Sequence, residues 1–157
     1  MGRIKNFIFG IFALLFVGNI CLVDDPAQDI KLNVKEFTLK NGMLFLVVER
    51  PTTPQVACRV AIRAGSALEQ AGKSGVAHLL EHMMFKGSPQ FPAGSLDRLV
   101  SREGGRWNAF TTNDFTAYYE TLPAERIDLA LRLESDRMLN AIMTREDVDS
   151  ERMVIIS

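Results

Sequence analysis

Apolar and polar positions alternate over residues 34–39 (Val34-Lys35-Glu36-Phe37-Thr38-Leu39), and a second apolar run fills residues 43–48. Asn41-Gly42 separates them. This dipeptide readily forms a tight turn because both residues tolerate positive φ, so the two runs predict a hairpin. Pro51 and Pro54 interrupt the pattern before alternation resumes over residues 56–63, which predicts a third antiparallel strand. Residues 65–75, rich in glycine and small side chains, read as a loop. The apolar run over residues 76–85 then predicts a helix, with Ser74 as its N-cap and Gly87 as its stop.

After a loop over residues 88–94, Ser95 opens a short helix in which Leu96, Leu99 and Val100 form one stripe, closed by Gly104-Gly105. Residues 106–111 and 115–120 predict two further strands joined by a turn at 112–114. Pro123 suits the first turn of a helix running to about Asn140, with Ile127, Leu131 and Met138 along one face. Glu134 falls on the same stripe, either as a carboxylate serving a site or as half of an ion pair with a neighbouring arginine. Thr144 with Asp147 three residues later resembles a capping box, opening a last helix through Val148, Glu151 and Ile155. Strands and helices in this order predict an α+β fold, a largely antiparallel sheet with packed helices.

Length and charge narrow this picture a little. The 157 residues suffice for one domain with a real core, or for part of a larger one. A net charge of −1 carries no nucleic-acid footprint, so none is expected as partner. The N-terminus is different in kind: Arg3 and Lys5 precede an apolar run over residues 7–23, closed by Asp24-Asp25-Pro26. Residues 1–23 therefore read as a cleaved signal peptide or a retained membrane anchor, with a lipid-modified start at Cys21 as a third option. Residues 24–33 follow as a linker and 34–157 as the domain. Each option predicts export, to a periplasm or the outside. Apart from Cys21 only Cys58 is present, so no internal disulfide is expected, and Cys58 fits a small core position.

Both histidines of the chain lie in His78-Leu79-Leu80-Glu81-His82. Four residues apart on a helix, His78 and His82 share a face and aim at one point, with Glu81 beside the second. A single histidine on an apolar helix is more often a satisfied core or surface residue than a ligand. Two imidazoles and a carboxylate together are costly to bury without compensation, and a metal supplies it. The order is the reverse of the His-Glu-x-x-His helix of zinc proteases, which points to Zn²⁺ and a metal-assisted hydrolase.

Three stretches in sequence resemble the pitrilysin/insulinase metallopeptidases, or inverzincins: Gly75-Val76-Ala77-His78-Leu79-Leu80-Glu81-His82-Met83-Met84-Phe85-Lys86-Gly87, then Asn108-Ala109-Phe110-Thr111-Thr112 with Tyr118-Tyr119, then Glu151-Arg152-Met153-Val154-Ile155. The resemblance implies that His78 and His82 hold one Zn²⁺ per chain and that Glu81 is the general base. It places the third ligand, a Glu, seven residues beyond Glu151, at the position just after Ser157. Glu151 is then a carboxylate that supports the site from outside the ligand set, with a substitute ligand or an exposed helix residue as the alternatives. Asn108, Ala109 and Phe110 resemble the edge strand that pairs with an extended peptide substrate, although their pattern alone gives only a sheet strand.

Family members are much longer, with related halves enclosing a chamber. The chain is accordingly expected to be the signal and most of the first domain of such a protein, needing a partner half-domain or subunit. The function expected is an exported zinc endopeptidase acting on peptide or protein substrates, and the alternative is a truncated or non-catalytic partner subunit. Inactive members generally lose the motif, which here is intact. By itself the 157-residue chain is expected to bind zinc weakly and hydrolyse little.

Overall fold

The computed structural model describes residues 31–156, so the readings for the N-terminal targeting segment lie outside the described residues. The chain divides into two compact units, Met1–Glu49 and Arg50–Ser157. In the first, β1 (Val34–Thr38) and β2 (Leu44–Val48) pair antiparallel, with Phe37 opposite Phe45 and their rings stacked at 5.0 Å. The turn follows from its residues. Gly42 takes φ 88°, and the Asn41 Oδ1 accepts the Met43 N–H at 3.1 Å.

In the second unit β3 (Gln55–Ile62), β4 (Arg106–Thr111) and β5 (Thr116–Pro123) form an antiparallel sheet in the order β3-β5-β4. The strand before the motif therefore pairs with β5, not with the hairpin. β5 also runs longer than its pattern predicts: Pro123 ends the strand opposite Gln55 and does not open a helix. A single 3₁₀ turn (Ala124–Arg126) then leads into α3 (Ile127–Asn140). Proline at a strand terminus gives up no needed ladder bond, which explains the difference.

α1 (Val76–Met83), α2 (Ser95–Arg102) and α3 cover one face of this sheet. The period of two sends Trp107 and Thr111 from β4, and Tyr118, Glu120 and Leu122 from β5, to that face. Leu122 packs with Leu96 and Val100 of α2, with Leu129, Ala130 and Leu133 of α3, and with Phe91. Burying each large aliphatic side chain contributes about 1.5–3 kcal/mol, so this cluster dominates the stability of the unit. Cys58 lies half-buried against it, and burial pushes its thiol up to about 11, in keeping with a core position.

α3 turns a different face inward from the expected one. Ile127, Leu131 and Met138 are 48%, 46% and 40% exposed, while Leu129, Ala130, Leu133, Glu134 and Arg137 are buried. Leu129, Ala130 and Leu133 form the stripe that joins the Leu122 cluster, and that face also carries Arg137, which reaches Glu120 on β5 at 3.3 Å and Glu134 one turn away at 2.9 Å. Glu134 thus takes the ion-pair role in the core. α4 (Arg145–Ile156) closes the unit against α1 and starts as its capping box predicts, with the Asp147 N–H donating to Thr144 Oγ1 at 3.1 Å.

Two expected caps are not used. Gly75 and Gly94, both in the left-handed region, occupy the N-cap positions of α1 and α2, which displaces Ser74 and leaves Ser95 inside its helix. The α1 N-terminus is held instead by Glu69, whose two carboxylate oxygens accept the Gly75 and Ala77 N–H groups at 2.8 Å each. Those backbone bonds, from Ala77 foremost, hold the Glu69 carboxyl below its usual range. The α-helix ends at Met83, short of Gly87. Tighter turns continue, with the Phe85 N–H on His82 C=O and the Lys86 N–H on Met83 C=O, both at 3.0 Å.

Candidate metal centre

The loop between β3 and α1 sets where the motif helix sits. It lies against the β4–β5 turn through Ser66 N–H to Thr112 C=O (3.1 Å) and Ala67 N–H to Asn113 C=O (2.9 Å). Gly65 permits this approach, since a Cβ there would stand 2.4 Å from the Asn113 carbonyl oxygen. From this anchored loop Glu69 fixes the first turn of α1. The helix then presents its polar positions towards β4 and α4.

On α1 the His78 and His82 Nε2 atoms are 3.2 Å apart, with ring planes at 84°. The His82 Nδ1 lies 2.8 Å from Glu151 Oε2 on α4. A carboxylate beside Nδ1 favours the tautomer that donates from Nδ1, which leaves a lone pair on Nε2 pointing at its counterpart on His78. With the proton of His78 on Nε2 the two nitrogens share a hydrogen bond, and with it on Nδ1 both lone pairs converge on one point where a cation can sit. Nitrogens each bound at about 2.0–2.1 Å to one tetrahedral Zn²⁺ stand roughly 3.3 Å apart. The pair therefore fits a zinc ion in spacing and in chemistry.

Glu151 is fully engaged: its other oxygen lies 2.6 Å from Lys86 Nζ. Lys86, foremost, and His82 hold its carboxyl below the usual range. Both carboxylate oxygens are thus occupied by side-chain partners. Among the described residues no group of three or more His, Cys, Asp or Glu side chains stands where a metal would need it. The two imidazoles are the candidate ligands that α1 brings together.

Glu81, one residue before His82, is 8% exposed and faces β4. Its Oε2 accepts a hydrogen bond from Thr111 Oγ1 at 2.5 Å. Asn108, Ala109 and Phe110 lie on the same strand, and β4 is an edge of the sheet among the described residues. The Thr112 N–H to Phe115 C=O bond fixes the alternation, so that the main-chain groups of Trp107, Ala109 and Thr111 point away from β5. One of them, the Ala109 N–H, is met by the Asn108 Oδ1 at 2.8 Å. Phe110 points to the other face of the sheet, where it meets Phe115 and Tyr119, with Arg59 over its ring.

The sequence by itself assigns no role to Thr111, Lys86 or Glu69. The strand period places Thr111 on the helix-covered face of β4 and would have found it. No local signal marks Glu69 or Lys86, whose partners are fixed only when the loop and α4 pack.

The family described as insulinase (peptidase family M16) matches residues 44–157. A zinc protease of Rickettsia bellii is 33% identical over 126 residues, covering 80% of this chain and 31% of its own. The mitochondrial-processing peptidase subunit beta of Caenorhabditis elegans is 38% identical over 120 residues, covering 76% of this chain and 26% of its own. The crystal structure of a protease from Helicobacter pylori superposes with a TM-score of 0.75 at 34% identity, covering 79% of this chain and 30% of that one. The chain thus spans about a third or less of the length of these relatives.

Proposed function

The chain belongs to the insulinase family of peptidases, M16, and from that premise we propose that it carries the metal-binding and base elements of a zinc-dependent endopeptidase. His78 and His82 hold the Zn²⁺ through Nε2, and Glu81 is the general base. The observation that carries this reading is the convergence of the two Nε2 atoms at 3.2 Å with Glu151 on the far nitrogen of His82. When bound, zinc acts as a Lewis acid and makes a coordinated water acidic near neutral pH. Glu81 takes the proton from the attacking water and delivers it to the leaving amine. Glu151 and Lys86 keep the His82 ring turned for ligation. The outer edge of β4 holds the substrate main chain as an added strand at Ala109, whose N–H the Asn108 side chain gives up to the substrate, beside Phe110.

Two histidines leave the ligand set short of the three protein ligands of a catalytic zinc site. We assign the third to the glutamate that the family pattern places after Ser157. The apolar N-terminal run is assigned to export, and a partner half-domain to completing the chamber around a peptide substrate.

Zinc titration and peptide hydrolysis test the reading. The chain should bind up to one Zn²⁺, weakly. His78→Ala or His82→Ala should abolish that binding, and Glu81→Gln should keep the metal while losing whatever hydrolysis the wild type has. Unchanged zinc binding after both histidine substitutions would overturn the site.

A further inference from the structure

Glu81 is steered by a single neighbour. Thr111 donates to Oε2 at 2.5 Å, and Oε1 has no protein partner among the described residues. Thr111 is in turn backed by Thr116, its register partner on β5, with the two Oγ1 atoms 3.1 Å apart. Thr116 is buried and donates its hydroxyl to the Ala64 C=O at 2.8 Å. A hydroxyl has one proton to give. That of Thr116 is committed to Ala64, so the two hydroxyl oxygens meet at contact distance without a proton between them. The proton of Thr111 goes to the nearer and charged acceptor, Glu81.

We propose that Thr111 is a positioning residue for Glu81, fixing Oε2 and leaving Oε1 as the oxygen that exchanges the proton with water and the leaving amine. The proposal rests on the reading of Glu81 as base. A glutamate has three rotatable side-chain bonds, and a base acts only within hydrogen-bond reach of the proton it takes. The Thr111 hydroxyl converts that freedom into one orientation. It does so from β4, held in register by β5, whose Thr116 is bonded to Ala64 at the start of the loop that also carries the Glu69 cap of α1. Helix and strand are thereby tied to one frame.

Three substitutions in the chain test this: Thr111→Val, which keeps the branched shape and removes the donor; Thr111→Ser, which keeps the donor; and Glu81→Gln. The Glu81 rotamer is read from three-bond NMR couplings in the metal-free chain, zinc content after loading, and kcat and KM on a fluorogenic peptide. Expected is a single Glu81 rotamer in the wild type and in Thr111→Ser, and rotamer averaging in Thr111→Val with zinc content unchanged. kcat in Thr111→Val should fall by about tenfold, less than loss of the base itself, with KM unchanged. A single Glu81 rotamer retained in Thr111→Val, or Thr111→Ser failing alongside it, would overturn the proposal. The rotamer decides alone if hydrolysis is too slow to rank, and Thr111→Ala replaces valine if that variant does not fold. Hydrolysis surviving Glu81→Gln would remove the base assignment while leaving the rotamer result standing, so the two failures are distinguishable.

Discussion

His82 Nδ1 and Glu151 Oε2 stand 2.8 Å apart, joining α1 and α4 through residues 69 positions apart in sequence. The contact sets the tautomer and the turn of the ring, and Lys86, 2.6 Å from the other Glu151 oxygen, keeps the carboxylate in place. A carboxylate behind a ligating histidine typically contributes 10–100-fold in metal affinity, by order of magnitude. Glu151→Ala should therefore weaken Zn²⁺ binding by roughly that factor while α4 remains helical. Competition with a chromophoric chelator measures the affinity and circular dichroism the helix. Affinity equal to wild type would show that α1 orients its histidines unaided.

The elements that follow from local rules were legible in the sequence. The Asn41-Gly42 hairpin, the stripe of Leu96 and Val100, the Thr144 capping box and the paired histidines each depend on residues within a few positions of one another. What could not be read depends on distant packing. The inward face of α3 is the one that meets Leu122, Leu96 and Val100 from distant elements, and the α1 cap is chosen by Glu69, six residues before Gly75 across a folded loop. Glu151 could be suspected only from the family resemblance, and its pairing with Lys86 exists only once α4 lies on α1. The apolar stripe of Ile127, Leu131 and Met138 misled because hydrophobic periodicity counts charged residues as outside, and here Arg137 and Glu134 are inside.

Gly65 carries a prediction of its own. A methyl at this position would lie 2.4 Å from the Asn113 carbonyl oxygen and 2.6 Å from that of Thr112, both backbone atoms that cannot turn aside. Gly65→Ala must push the loop off the β4–β5 turn, breaking the bonds from Ser66 and Ala67. Overpacking of this kind costs about 1–3 kcal/mol. Urea unfolding should register the loss, and hydrogen exchange should show the Ser66 and Ala67 amides losing protection. A variant as stable as wild type would mean that the loop is not clamped.

Glu120 and Glu134 share one cation, Arg137, whose guanidinium also lies 4.9 Å from the Tyr118 ring centre. Two carboxylates against one arginine leave a negative charge in the interior unless a proton is kept. Burial foremost, then the hydrogen bond and charge of Glu134, pushes Glu120 up to about 9 from its usual value near 4.5. The folded chain thus holds a proton that the unfolded chain releases above about pH 4.5. The folded state binds more protons between these values, so stability falls as pH rises from about 5 towards 9. Glu120→Gln is neutral throughout and keeps a hydrogen-bond donor. Its stability relative to wild type should rise steadily across that interval, while Arg137→Met, which strands the carboxylates, should cost about 3–5 kcal/mol at neutral pH. Urea midpoints measured at intervals from pH 5 to 9 test both. Parallel pH profiles for wild type and Glu120→Gln would show that the pair does not keep its proton.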